Sequence, residues 1–137
     1  MTDPDASTNW NENNPPPKLN PTVAELGSAI TFRAYQREAH KTASYPARYD
    51  VIYPLIGVAS EAGEILEKLK KRMRTGDPLI DKAFIADLAL ELGDVLWYIS
   101  EAANSLGLNL ETIAANTLKK LASRAERGLI HGSGDHR

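Results

Sequence analysis

The sequence predicts an all-α fold, and three observations carry that prediction. Apolar residues recur at steps of three and four through successive stretches beyond residue 22. No segment shows the strict alternation of a half-buried strand. Glycine and proline fall between the periodic stretches, at Ser44-Tyr45-Pro46, at Thr75-Gly76-Asp77-Pro78 and at Gly107. At 137 residues the chain is of single-domain size. A bundle of four to five helices is therefore expected over residues 22–137, with an irregular arm over 1–21 and an irregular C-terminal tail.

Composition narrows the function classes. The net charge is -2 with both signs interspersed, which does not suit a non-specific nucleic-acid surface. Cysteine is absent, so disulfides, thiol nucleophiles and Cys-ligated zinc are excluded. No apolar run is long enough to span a bilayer, and there is no basic n-region followed by an apolar core. A soluble, cytoplasmic protein with no membrane or nucleic-acid partner is expected.

Residues 1–21 are rich in Asn, Pro, Asp, Ser and Thr and offer only Trp10 as a large anchor. Such an arm is either disordered or ordered by lying on a neighbouring subunit. Helical character starts at Thr22 through Leu26 and Ile30, weakened at Gly27, and Thr31 can cap a fresh start at Phe32. That helix should end near Ala43, because the residue before Pro46 disfavours the α conformation. Tyr45, Tyr49 and Tyr53 follow. They either stack on a nucleobase or pack at a helix entry.

The second helix is expected from Asp50 or Tyr53 to about Arg74, with Pro54 in its first turn. Its expected core stripe is Leu55, Ala59, Ala62, Leu66, Leu69 and Met73. Glu61 and Glu64 lie along the edge of that stripe. Gly63 is a weak helix former, roughly 1 kcal/mol below alanine, so its place between the acids suggests a close approach to the backbone there. Lys68, Lys70, Lys71, Arg72 and Arg74 close the helix with charges that suit its C-terminal dipole.

A third helix should run from about Asp81 to Leu106 on the stripe Ile85, Leu88, Leu92, Val95, Ile99, Ala102 and Leu106. Beside it lies a polar ribbon, Asp87, Glu91, Asp94 and Tyr98. Trp97 points elsewhere and reads as core or subunit contact. Asn109 can cap a fourth helix with Leu110, Ile113, Ala114, Leu118, Leu121 and Ala125 as apolar positions and Asn116, Lys119, Lys120, Arg124 and Arg127 on its other faces. The glycine-interrupted tail from Leu129 to Arg137 could wrap a phosphate with backbone N–H groups or fray.

Chemistry concentrates in two acidic pairs, Glu61-x-x-Glu64 and Glu91-x-x-Asp94. A three-residue step puts both acids of a pair on one helix face, so two facing pairs would form a carboxylate cage. Desolvated acids need protons, basic partners or cations. The three histidines form no H-E-x-x-H pair, no Glu-x-x-His motif occurs, and neither a P-loop nor a G-x-G-x-x-G turn is present. An all-oxygen site for magnesium, manganese or calcium remains, and magnesium is commonly shared between one or two carboxylates and substrate phosphates. Metal-assisted attack on a phosphorylated substrate follows as the expected chemistry.

These acids sit in longer motifs: Gly57-Val58-Ala59-Ser60-Glu61-Ala62-Gly63-Glu64, Glu91-Leu92-Gly93-Asp94-Val95-Leu96-Trp97-Tyr98, Lys120-Leu121-x-x-Arg124-x-x-Arg127-Gly128 and Gly132-Ser133-Gly134-Asp135-x-Arg137. Together they resemble the signature of the MazG-like all-α nucleoside triphosphate pyrophosphohydrolases, over about Phe32 to Arg137. Ser60 departs from it, standing where many relatives carry another Glu. The resemblance implies cleavage of an NTP or dNTP between the α and β phosphates, with Mg2+ (Mn2+ as substitute) held by Glu61, Glu64, Glu91 and Asp94. Glu64 and Glu61 are the acids assigned to catalysis, Glu64 being placed to orient or deprotonate the attacking water. Face and charge add Lys68, Lys71, Lys120, Arg124 and Arg127 as phosphate partners, and Tyr98 and Asn116 as sugar or base contacts. The resemblance also implies a homodimer or homotetramer. A purine dNTP such as dGTP is the preferred substrate; phosphoribosyl-ATP or a pyrimidine dNTP, and a non-catalytic nucleotide-binding helical module, are the alternatives.

Overall fold

The computed structural model describes residues 30–129. The expected arm over 1–21, the helical start from Thr22 through Leu26, and the tail beyond Leu129 with its Gly132-Ser133-Gly134-Asp135 motif lie outside the described residues. Within them are four α-helices: α1 (Phe32–His40), α2 (Ile52–Thr75), α3 (Lys82–Ser105) and α4 (Leu110–Glu126), with a 3-10 turn at Ala47–Tyr49 ahead of α2.

The ends of these helices are set by local chemistry. Thr31 caps α1, its hydroxyl accepting from the Ala34 N–H at 3.1 Å. Regular α structure stops at His40, earlier than the expected Ala43, and single-turn hydrogen bonds carry the chain on to Ala43. Pro54 lies in the first turn of α2, where no intrahelical N–H is needed. Gly76 ends α2 with φ 75°, a left-handed cap that favours glycine. Asp81 and Asn109 cap α3 and α4 by accepting from the Phe84 and Thr112 N–H groups at 2.7 and 3.1 Å.

The central unit is the α2–α3 hairpin, two helices of 24 residues each, about 36 Å long at a rise of 1.5 Å per residue. They run antiparallel, since partners across the seam descend in α3 as they ascend in α2: Gly57 faces Tyr98, Lys68 meets Glu91, and Arg72 meets Asp81. The closed end is held by Arg72. Its guanidinium makes two bonds to the Asp81 carboxylate, at 2.7 and 2.9 Å, and lies 4.8 Å from the Phe84 ring centre. Phe84 is fully enclosed.

α1 packs on α3, and the chief contact of α4 is with α1. Gln36 makes that joint: its side chain donates to the Leu108 carbonyl at 2.8 Å and accepts from the Leu110 N–H at 3.0 Å. One amide thereby fixes the turn between α3 and α4.

The expected core stripes are corrected by the packing. On α2, Leu55, Ala59, Ala62, Leu66 and Met73 face outward within one chain, Leu66 and Met73 remaining 65% and 71% exposed. Leu69 is half-buried as expected, and the rest of the inward face is Pro54, Gly57, Val58, Glu61, Ile65, Lys68 and Arg72, all buried or half-buried. On α3, Leu92 and Ile99 are likewise exposed, as is Leu106 at its end, while Ile85, Leu88, Val95 and Ala102 turn inward as expected; on α4 Ile113, Leu118, Leu121 and Ala125 are exposed and Leu110 and Ala114 are not. The helices meet through the mixed ribbon beside each apolar stripe because that ribbon carries the small residue and the ion pairs that permit close approach. Apolar positions do cover more than one face, as expected.

Nothing lies within 4 Å of a Cβ built at Gly63, so no part of the described chain approaches the backbone there. The close approach is at Gly57, where the Tyr98 ring occupies the space a side chain would fill.

Candidate metal and phosphate site

The seam brings the acidic pairs together halfway along the hairpin. Glu61, Glu64 and Glu91 each offer a carboxylate oxygen, and these oxygens lie within 4.8 Å of one another. Glu91 is buried, Glu61 half-buried and Glu64 exposed. The three thus grade from the seam outward, leaving one side open. Asp94 stands one turn after Glu91 and outside that tight group. Its charge still reaches it: loss of solvent first, then the charges of Glu64, Asp94 and Glu91, push the Glu61 carboxyl above its ordinary value.

The basic residues divide. Lys68 Nζ lies 2.9 Å from Glu91 Oε1, and that bond first of all raises the lysine's pKa, with Asp87 and Glu64 adding to it. Asp87 is thus an outer member of the same electrostatic group. Lys71 is exposed on α2. Asn116, Lys120 and Arg124 lie on α4 and Arg127 follows its last residue; the chief packing of α4 is on α1, away from the seam that holds the acids.

Aromatic side chains extend from the acids along the open end of the hairpin. Tyr98 sits over Gly57, its pKa raised by burial and then by Tyr53, with Glu61 and Asp94 contributing. Tyr53 lies 6.2 Å from Tyr98 and stacks on Tyr45 at 4.7 Å between ring centres. Tyr49 does not join this row and sits under Arg48. Trp97 packs edge-on to Tyr98 and donates to the Thr42 hydroxyl at 2.8 Å. Trp97 is therefore an internal strut between α3 and the end of α1.

One acid escaped the sequence reading. Glu101 is fully buried, its carboxylate facing His40 Nδ1 at 2.9 Å, the Tyr45 hydroxyl at 3.2 Å and the Asn104 amide at 3.1 Å. A carboxylate accepts only, so His40 donates from Nδ1. The signal was present: the ribbon Asp87, Glu91, Asp94, Tyr98 continues by the same steps to Glu101. Gly57 was visible inside a motif but carried no role, because what it makes room for lies on another helix.

The donor set is all carboxylate oxygen, crowded enough to raise one member's pKa and to hold an ammonium group against another. Those are the conditions under which a hard divalent cation is favoured. Among the described residues no helix is long and apolar enough to cross a membrane.

Comparison with known proteins adds an independent line. The family model described as the MazG nucleotide pyrophosphohydrolase domain matches residues 55–129. The "Gene 37 protein" of Mycobacterium phage L5 is 44% identical over 109 residues, covering 75% of this chain and 96% of that protein. No solved structure matches.

Proposed function

The chain belongs to the MazG nucleotide pyrophosphohydrolase family, and from that premise we propose that it hydrolyses a nucleoside or deoxynucleoside triphosphate between the α and β phosphates. The products are the monophosphate and pyrophosphate, and a purine deoxynucleotide such as dGTP is the preferred substrate. The observation that carries this reading is the convergence of the Glu61, Glu64 and Glu91 oxygens within 4.8 Å.

A triphosphate cannot approach a cluster of carboxylates without cations between them. Glu61, Glu64, Glu91 and Asp94 would hold Mg2+, with Mn2+ as a substitute. The metal supplies charge neutralisation and increases the acidity of water in the site. Glu64, the exposed member of the first pair, orients the attacking water and accepts its proton. Oxygen attack on the α-phosphorus breaks the α–β anhydride bond, and pyrophosphate leaves with that electron pair. Lys68 and Lys71 meet the outgoing phosphates. Tyr98, one turn beyond Asp94, faces the sugar or base.

Asn116, Lys120, Arg124 and Arg127 reach a site through assembly. The outward apolar faces of α2, α3 and α4, with Leu66 65% and Leu118 68% exposed, support a homodimer or homotetramer in which α4 of one chain lies near the acids of another. Sedimentation of the purified protein as a monomer at micromolar concentration would remove that part.

The activity is tested with a full NTP and dNTP panel under Mg2+ and Mn2+, with the products separated. Monophosphate and pyrophosphate should form from at least one nucleotide, and Glu64→Gln and Asp94→Asn should each abolish turnover without altering helical content or assembly size. A panel yielding no monophosphate under either metal sinks the reading.

A further inference from the structure

Two cations stand on the inward face of α2, one turn apart, and they are held very differently. Arg72 is fixed by paired bonds to Asp81 and by the Phe84 ring. Among the described residues Lys68 makes one ion pair, Nζ to Glu91 Oε1 at 2.9 Å, at the end of a flexible four-carbon stem, and 29% of its side chain is exposed. Its partner is the most enclosed of the three converging acids, with only 11% of the Glu91 side chain exposed. The ammonium therefore occupies the position from which a cation would bind the cluster most deeply.

We infer that Lys68 is an exchangeable counter-ion of this cluster: it neutralises Glu91 in the metal-free protein, is displaced when a divalent cation takes that carboxylate, and is thereby released to a phosphate oxygen of the substrate. The inference rests on the metal reading of the same acids. Its physical basis is competition. A divalent cation needs Glu91 oxygen at about 2.1 Å, and an ammonium group left beside it would be repelled across a few ångströms of partly desolvated space. Metal binding then arms the residue that meets the triphosphate, so free triphosphate finds no available Lys68 until the metal is in place. The rival arrangement keeps Lys68 on Oε1 while the metal takes Oε2, making the lysine a permanent brace of Glu91.

The two arrangements predict opposite signs. Mn2+ and Mg2+ binding without nucleotide is measured by calorimetry on the full-length wild type, Lys68→Met and Lys68→Arg. Exchange predicts that Lys68→Met binds Mn2+ more tightly than wild type, by about threefold or more, the scale of one partly exposed ion pair, with Lys68→Arg no tighter than wild type. Weaker or unchanged Mn2+ binding by Lys68→Met overturns it. A second measurement needs no variant: acetylation of wild-type Lys68, followed by mass spectrometry against Lys71 as an internal reference, should accelerate when Mg2+ saturates the site. An unchanged or slower rate also overturns the exchange and decides the matter if Lys68→Met does not fold. If wild type binds neither cation, the metal reading itself fails and the exchange falls with it. If wild type binds and the sign is wrong, only the exchange fails.

Discussion

Replacing Gly57 with alanine tests the register of the seam. A Cβ there would sit 2.6 Å from Tyr98 Cγ, with Cδ1 and Cε1 closer still, whereas ordinary contact begins at 3.4 Å, so the ring must retreat by at least 0.8 Å. The obstacle is the body of a ring anchored on α3, flanked by Tyr53 and Trp97. It cannot simply swing aside. Overpacking of this kind costs about 1–3 kcal/mol, and the upper end applies to a rigid neighbour. Alanine returns about 1 kcal/mol through helix propensity. A net loss of about 2 kcal/mol is expected, which lowers the melting temperature by roughly 7 °C for a chain of this size. The decisive assay is a double-mutant cycle by thermal denaturation at fixed protein concentration. In a Tyr98→Ala background the clash is gone, so Gly57→Ala should become neutral or stabilising. An equal loss in both backgrounds would show that Tyr98 is not what Gly57 accommodates.

Three further outcomes follow from the same structure. Gln36→Leu leaves the Leu108 carbonyl and the buried Leu110 N–H without their partner and should destabilise the fold by about 2–4 kcal/mol; a denaturant midpoint equal to wild type would refute the joint. Asp81 is held below its ordinary value of 3.8, chiefly by Arg72 and then by the Phe84 N–H. Its stabilisation is thus complete above that value and fades as the pH falls through the depressed folded-state pKa. The stability gap between wild type and Asp81→Asn should narrow below pH 3.8, and a gap that is constant down to pH 2 contradicts it. Glu61→Gln removes one charge from a mutually repelling group, so it should melt above wild type in chelator and gain nothing from added Mg2+; a lower melting temperature in chelator would mean that Glu61 stabilises the metal-free seam.

What was legible in the sequence was whatever depends on neighbours along the chain. The caps at Thr31 and Asn109, the glycine stop after α2 and the four helices are local chemistry, and periodicity with cap residues locates them to within a few positions. The convergence of Glu61 and Glu64 with Glu91 was legible, because each pair occupies one helix face and a short turn leaves its two helices little choice but to lie antiparallel; that Asp94 stays outside the tight group was not. The face used for packing was not legible. Periodicity reports that Leu55, Leu66 and Met73 share a stripe, but not which partner covers it. In this chain the inward choice fell to a ribbon containing Gly57, Lys68 and Arg72, whose fitness depends on Tyr98, Glu91 and Asp81 in another helix. Within the described chain the close approach to a helix backbone lies at Gly57, two turns before Gly63.

The rotation of α2 that brings Gly57 and Arg72 inward also sets the acids. Gly57 lets the open end of the hairpin close onto Tyr98, and Arg72 locks the other end onto Asp81. Between these anchors Glu61 and Glu64 converge on Glu91, with Asp94 close enough for its charge to reach Glu61. The repulsion inside the cluster is therefore offset by Lys68 on Glu91 and by the contacts at both ends of the seam. An α2 that instead turned Leu55, Leu66 and Met73 toward α3 would bury more apolar surface but carry Glu61 and Lys68 out of the seam. The exposed stripe is thus the counterpart of the site: among the described residues apolar surface stays exposed on one side of α2 because the other side is committed to holding carboxylates together.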